Sequence, residues 1–148
     1  IQDFYRSDAQ KEQLFNNAER ALFIAAQRNP QDYKIFGYLA ELYSLYARVE
    51  PGQNESLLNK ALDSASIAVE LYPGDAELRL RLAQIAEDLN QPDLALKNYK
   101  AAVQIEDSFR KQFKLMYPGR KVISRINEDK YFFATQRIKD LERLPANP

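Results

Sequence analysis

Histidine and cysteine are absent from this sequence of 148 residues. With them go the commonest general base, the thiolate nucleophile and every zinc or iron–sulfur centre that needs imidazole or sulfur ligands. A chain without cysteine suits an oxidising and a reducing compartment alike, so the absence assigns neither. Glycine is scarce: Gly37, Gly52, Gly74 and Gly119 are the four, three of them in predicted turns, and they leave no phosphate-cradling loop. No run of about eighteen apolar residues is present, and the N-terminus lacks the basic, apolar and small-residue succession of a secretory signal, so no membrane insertion by this chain is expected. Ile1 opens the chain without an initiator Met, which points to a processed protein or an excised piece of a longer one. Strands are not expected either, because no short stretch alternates apolar and polar residues between hairpin turns.

What remains is a helix-forming, evenly balanced chain. Apolar residues make up 45% of it, enough for one domain to build a core without disulfide or metal staples. The 21 basic and 21 acidic residues cancel, but not locally: residues 1–108 hold 11 basic and 17 acidic side chains, residues 109–148 hold 10 and 4. An acidic body therefore carries a basic tail.

The sequence repeats itself. Ala61, Ala65, Ala68 and Pro73 recur 34 residues later as Ala95, Tyr99, Ala102 and Asp107, and the same spacing occurs near the start as Ala18, Leu22, Ala25 and Pro30. A second pattern, Phe36, Leu39, Ala40 and Tyr43, matches Arg79, Leu82, Ala83 and Ala86 at an offset of 43. One insertion of nine residues near Ala47–Glu55 reconciles the two offsets, with Pro51-Gly52 marking a turn inside it. Paired antiparallel helices explain the pattern, since neither can bury its apolar face alone and each pair stacks on the next. Ala18, Ala40, Ala61, Ala83 and Ala95 read as the points of close helix approach, with Leu39, Leu82, Tyr43 and Tyr99 filling the space between. Helices are predicted over Asp8–Gln27, Gln31–Arg48, Asn54–Leu71, Asp75–Leu89, Pro92–Met116 and Asn127–Leu144. Asp75 and Asn127 are predicted as N-caps, Pro92 sits near a helix start, and Pro30, Pro73 and Pro118 lie at or just past helix ends.

The segment Asp75–Ser108, DAELRLRLAQIAEDLNQPDLALKNYKAAVQIEDS, resembles a tetratricopeptide repeat, although Arg79 stands where that family often has Trp. Residues 32–73 form a second, interrupted copy, and residues 8–30 resemble only the second helix of a first copy. The resemblance implies an all-α fold: a single-domain, antiparallel helix-pair solenoid, with residues 109–148 as a basic, aromatic extension ending in a capping helix. It also implies a non-catalytic scaffold whose inner surface is lined by the first helix of each pair. Carried over, the third copy would present Glu77, Leu80, Gln84, Glu87 and Asp88. The second would present Lys34, Gly37, Tyr38, Glu41, Ser44 and Leu45. Such a groove is mainly acidic with some apolar ground and suits a basic or amphipathic peptide; the alternative is a merely solvated face. Capture of a C-terminal carboxylate is disfavoured, because the third copy offers Glu and Leu where that mode needs Lys and Asn. Phosphate repulsion argues against a nucleic-acid partner.

No catalytic, cofactor or metal site is predicted. The carboxylate pairs Glu87/Asp88, Glu106/Asp107 and Glu128/Asp129 are adjacent in sequence, so on a helix they diverge by about 100°. They read as solvated surface or as first-turn charge favoured by the helix dipole.

In the tail, Phe109, Phe113, Met116 and Tyr117 form one apolar stripe and Tyr131, Ala134, Ile138 and Leu141 a second. One reading is a helix that covers the open end of the repeats. Another attends to Arg110, Lys111, Lys114, Arg120, Lys121, Arg125 and Lys130, interleaved with the aromatics, as a site for lipid headgroups, phosphorylated glycan or an acidic partner. A third has these cations clasp the chain's own acidic body. The tail, FRKQFKLMYPGRKVISRINEDKYFFATQRI, is similar to segments that follow the membrane domain of bacterial O-antigen-ligase-like proteins. That resemblance would make the chain a soluble accessory domain of a polytopic envelope protein, with the glycan-transfer chemistry elsewhere. Oligomerisation through an exposed end of the repeats is open.

Overall fold

The computed structural model describes residues 7–49, 52 and 54–144. Among them the chain is all-α, with helices α1 (Asp8–Arg28), α2 (Tyr33–Val49), α3 (Asn54–Leu71), α4 (Ala76–Asp88), α5 (Pro92–Met116) and α6 (Glu128–Glu142), and no strand. They group into two compact units, Ile1–Leu71 and Tyr72–Pro148, divided beside the Pro73-Gly74 turn.

In the first unit α1 starts at a capping box. The Ser7 hydroxyl accepts from the Gln10 N–H at 3.3 Å, and the Gln10 carboxamide oxygen accepts from the Ser7 N–H at 3.0 Å. Helices α2 and α3 pack along one another and, joined by a short connection, run antiparallel. Ala40 and Ala61 are fully buried where the backbones approach, with Leu39 and Tyr43 buried beside them. Helix α1 departs from expectation: none of its residues is buried, and Ala18 is half-buried rather than a close-contact point. Two anchors hold it instead. Phe15 stacks on Tyr46 with ring centroids 4.1 Å apart. The Glu19 carboxylate accepts from the Tyr43 hydroxyl at 2.7 Å and lies 3.7 Å from the Lys60 ammonium, tying α1 to both α2 and α3.

The nine-residue insertion is not a loop. Ala40 lies nine residues before the end of α2 while Ala83 lies five before the end of α4, and Ala61 lies seven after the start of α3 while Ala95 lies three after the start of α5. Toward the turn, each helix of the pair thus runs four residues further past its close-contact alanine, about one turn. Whole turns keep the buried stripes in phase, which a different partition would not. Pro51, placed at the turn by the sequence, lies outside the described residues.

In the second unit Asp75 caps α4, its carboxylate accepting from the Glu77 and Leu78 N–H groups at 2.8 and 3.1 Å. The helix ends in a Schellman motif: the Gln91 N–H donates to the Ala86 carbonyl at 2.8 Å and the Asn90 N–H to the Glu87 carbonyl at 2.9 Å. Asn90 takes the left-handed conformation this needs, at φ 55°. Pro92 then opens α5, where its missing N–H costs nothing. Ala83, Ala95 and Ala102 are fully buried at the α4–α5 contact. Arg79, at the position where the resembled repeat often has Trp, donates from Nη1 to the carboxamide oxygen of buried Asn98 at 3.1 Å. Residues 117–127 are irregular, and Asn127 caps α6 by accepting from the Lys130 N–H at 2.8 Å. Helix α6 packs against α5 through buried Ala134 and Leu141.

Candidate functional site

The face of α4 expected to line a groove is largely occupied. Leu80 is only 4% exposed, so it belongs to the core and presents nothing to a partner. The reason is that α4 is buried nearly all round: Ala76, Leu78, Leu80, Leu82, Ala83, Ile85 and Ala86 point in widely different directions and are all covered. Glu77 forms an ion pair with Lys130 of α6. The Glu87 carboxylate is grasped by Arg137 of α6, whose Nε lies 3.0 Å from Oε1 and whose Nη2 also donates to it, and it accepts from the hydroxyl of fully buried Tyr99 at 2.6 Å. Gln84 and Asp88 are exposed.

Electrostatics follow from this clasp. Burial alone would raise the Glu87 pKa, but the hydrogen bonds from Arg137 and Tyr99 and the Arg137 charge outweigh it and hold the carboxyl below its ordinary value. Tyr99 moves the other way, raised by burial and by its bond to Glu87, and the bond to Glu87 raises Arg137. Tyr43 in the first unit is raised by burial and by its bond to Glu19.

The face of α2 is different. Tyr38, Leu42, Leu45 and Val49 follow one another at helix spacing, and Tyr38 (57%), Leu45 (53%) and Val49 (54%) are exposed. Lys34 and Glu41 flank this stripe and are also exposed. Gly37 is buried and Ser44, half-buried, donates to the Ala40 carbonyl, so neither is presented to a partner. At the C-terminal end of the stripe, α1 and α2 leave a cleft of about 540 Å³, lined by Leu14, Phe15, Ala18, Leu42, Leu45, Tyr46 and Val49 with Lys11 at its rim. Apolar lining and an open mouth suit a hydrophobic side chain or a peptide better than a charged small molecule.

The predicted anion-binding residues separate into two sets. Arg110 and Arg125 are engaged within the fold. The Arg110 Nε donates to the Glu106 carboxylate at 2.8 Å while its guanidinium lies over the Tyr131 ring at 4.4 Å, and Arg125 lies over the Phe109 ring at 4.4 Å. Lys114 and Lys121 are exposed, and so is Arg120, 5.2 Å over Tyr117. Of the expected apolar stripe, Phe109, Phe113 and Tyr117 form a chain of neighbouring rings, but Met116 points to solvent at 66% exposure.

Glu106 is the functional-looking carboxylate that sequence reasoning assigned to solvated surface, and it is fully buried. Its second oxygen accepts from the Arg125 and Ile126 N–H groups, both at 3.3 Å. The signal was available: Ala95, Tyr99, Ala102 and Glu106 continue one buried stripe at steps of four, three and four. The repeat spacing instead pointed to Asp107, which lies at the surface and accepts from the Tyr131 hydroxyl at 2.7 Å. Among the described residues no group of three His, Cys, Asp or Glu is placed to hold a metal ion.

Among the described residues the fold is all-α, built from paired helices, and α2 leaves an apolar stripe exposed. No family model matches the chain, and no curated protein matches it. The similarity of its tail to O-antigen-ligase-like proteins therefore has no counterpart among curated sequences. Among solved structures the chain is similar to a crystal structure of MamA at 16% identity, over 93% of this chain and 94% of that one, with a TM-score of 0.32.

Proposed function

We propose that this chain is a non-catalytic scaffold that binds an amphipathic segment of a protein partner along α2 and in the cleft between α1 and α2. The observation that carries the proposal is the uncovered stripe Tyr38, Leu42, Leu45 and Val49 above an apolar cleft of about 540 Å³. A contiguous exposed apolar surface costs solubility, and in soluble domains it marks contact sites. A partner helix laying one apolar face on α2 would bury side chains at matching spacing, with the cleft taking its largest anchor.

Charge supports an amphipathic partner over a basic one. Glu77 and Glu87, which made the expected groove acidic, are matched by Lys130 and Arg137. Around the α2 stripe Lys34 and Arg48 stand beside Glu41, a mixed rim that favours neither sign.

Peptides selected from a random library on the immobilised chain should carry large apolar residues at helix spacing. Leu45→Asp, at an exposed position, should weaken them by about thirtyfold, the loss typical of a central contact, while helicity by circular dichroism is unchanged. Selected peptides that bind the Leu45→Asp chain as tightly as the parent would refute the proposal.

A further inference from the structure

Residues 109–127 carry six basic side chains and no acidic one. The flanking acids lie outside the segment: Asp107, bonded to Tyr131, on one side, and Glu128 and Asp129 in the first turn of α6 on the other. The fold spends two of the six cations internally, on Glu106 and on the rings of Tyr131 and Phe109. Lys111, Lys114 and Lys121 stay exposed, and Arg120 lies beside Tyr117 at the surface.

The same stretch exposes three large aliphatic side chains while burying Ile126. Leu115 is 74% exposed, Met116 66% and Ile123 64%, whereas Phe109 and Phe113, earlier on α5, are half-buried. Helix α5 runs on past the end of the repeat, and residues 117–126 return alongside it until Glu106 fastens the Arg125 and Ile126 N–H groups. The exposed end of α5 and the returning strand of chain are thereby held together as one outward-facing tip, with cations and aliphatic side chains interleaved.

We propose that this tip is a docking surface for an anionic phospholipid bilayer, its lysines at the headgroup phosphates and Leu115, Met116 and Ile123 at the boundary with the acyl chains. Charge alone would equally suit a nucleic acid or an acidic protein, but the aliphatic side chains favour lipid. Bases stack on aromatic rings, and the partly exposed ring here, Tyr117, already has Arg120 beside it, while Leu115, Met116 and Ile123 give a base nothing to stack on. An acyl boundary rewards burial of each aliphatic group, and lysine stems can lie along that boundary while their ammonium groups stay in water. No helix among the described residues is long and apolar enough to cross the bilayer, so the contact is peripheral. It is independent of the α2 cleft and would bring a cleft-bound partner to a membrane surface.

Sedimentation of the full chain with phosphatidylcholine vesicles, with and without phosphatidylglycerol, tests this. The chain should pellet with the phosphatidylglycerol vesicles only, and added salt should release it. Lys114→Gln and Lys121→Gln should each weaken binding about fivefold. Leu115→Ser combined with Ile123→Ser should weaken it further while leaving the salt dependence in place. Equal binding to both vesicle types, or no binding to phosphatidylglycerol vesicles at low salt, overturns the proposal. So does tighter binding to a single-stranded oligonucleotide or to polyglutamate with the serine variants unaffected, since a soluble polyanion would then be the partner. The comparison of the two vesicle types on the unaltered chain needs no variant, and Leu45→Asp should bind vesicles as the parent does.

Discussion

Glu106 is a carboxyl group with no exposed surface, and burial of such a group is costly unless its oxygens are matched. Here one oxygen takes the Arg110 guanidinium and the other takes two backbone N–H groups from the returning chain. Removing the carboxylate would leave those donors facing each other without an acceptor. Glu106→Ala should therefore cost about 3 kcal/mol in urea unfolding, toward the range for breaking a buried pair. Glu106→Gln should cost less, because its carbonyl oxygen can keep one set of bonds. The sharper reading is local: residues 117–127 should lose amide-exchange protection before the helices do. A Glu106→Ala chain as stable as the parent would show that the matched donors find water without penalty.

At the scale of the helix, α6 acts on α4 through the Arg137–Glu87 clasp as well as by packing on α5. Glu87 has its carboxyl pKa lowered in the fold, so its contribution is present above the ordinary glutamate value and disappears as pH falls through the lower folded one. The stability difference between the parent and Glu87→Gln should be level from neutral pH to about 5 and close below about 4. A difference that persists unchanged into strong acid would remove the clasp as its source. Helix α6 is also why the face of α4 could not be read from sequence. Helix positions were legible because proline punctuation, caps and the alanine stripes are all local, and α3 and α5 fall on their predicted bounds. Arg137 and Glu87 are fifty residues apart, and no local period pairs them. On α2 nothing comparable arrives among the described residues of its unit, and Tyr38 and Leu45 are exposed.

Across the described residues each compact unit holds one buried phenol bonded to a carboxylate, Tyr43 to Glu19 and Tyr99 to Glu87, while Tyr131, bonded to Asp107, is only half-buried. Burial and the carboxylate raise both phenol pKa values, so the neutral forms are favoured in the fold. That contribution is complete below the unfolded tyrosine value of about 10 and is lost as pH climbs through the folded values. Thermal unfolding followed by circular dichroism should show the melting temperature falling above about pH 10, and the combined Tyr43→Phe, Tyr99→Phe chain should lose most of that alkaline slope. An unchanged slope would assign it to general charge repulsion instead. The overall charge division was legible in composition, but its destination was not. Some tail cations turn inward to Glu77, Glu87 and Glu106 and others do not, and only geometry separates them.

The lengthened α2–α3 pair has a consequence for how this chain tolerates change. Its extra residues arrive as one added turn on each helix, so the hairpin reaches about 6 Å further while its core contacts keep their alignment. The tip of that hairpin is therefore a point where chain length is a free variable. A tag, a reporter or a second binding loop grafted between Val49 and Asn54 should leave both stripes undisturbed, and trimming a matched turn from each helix should bring the turn as near to Ala40 and Ala61 as the α4–α5 turn is to Ala83 and Ala95.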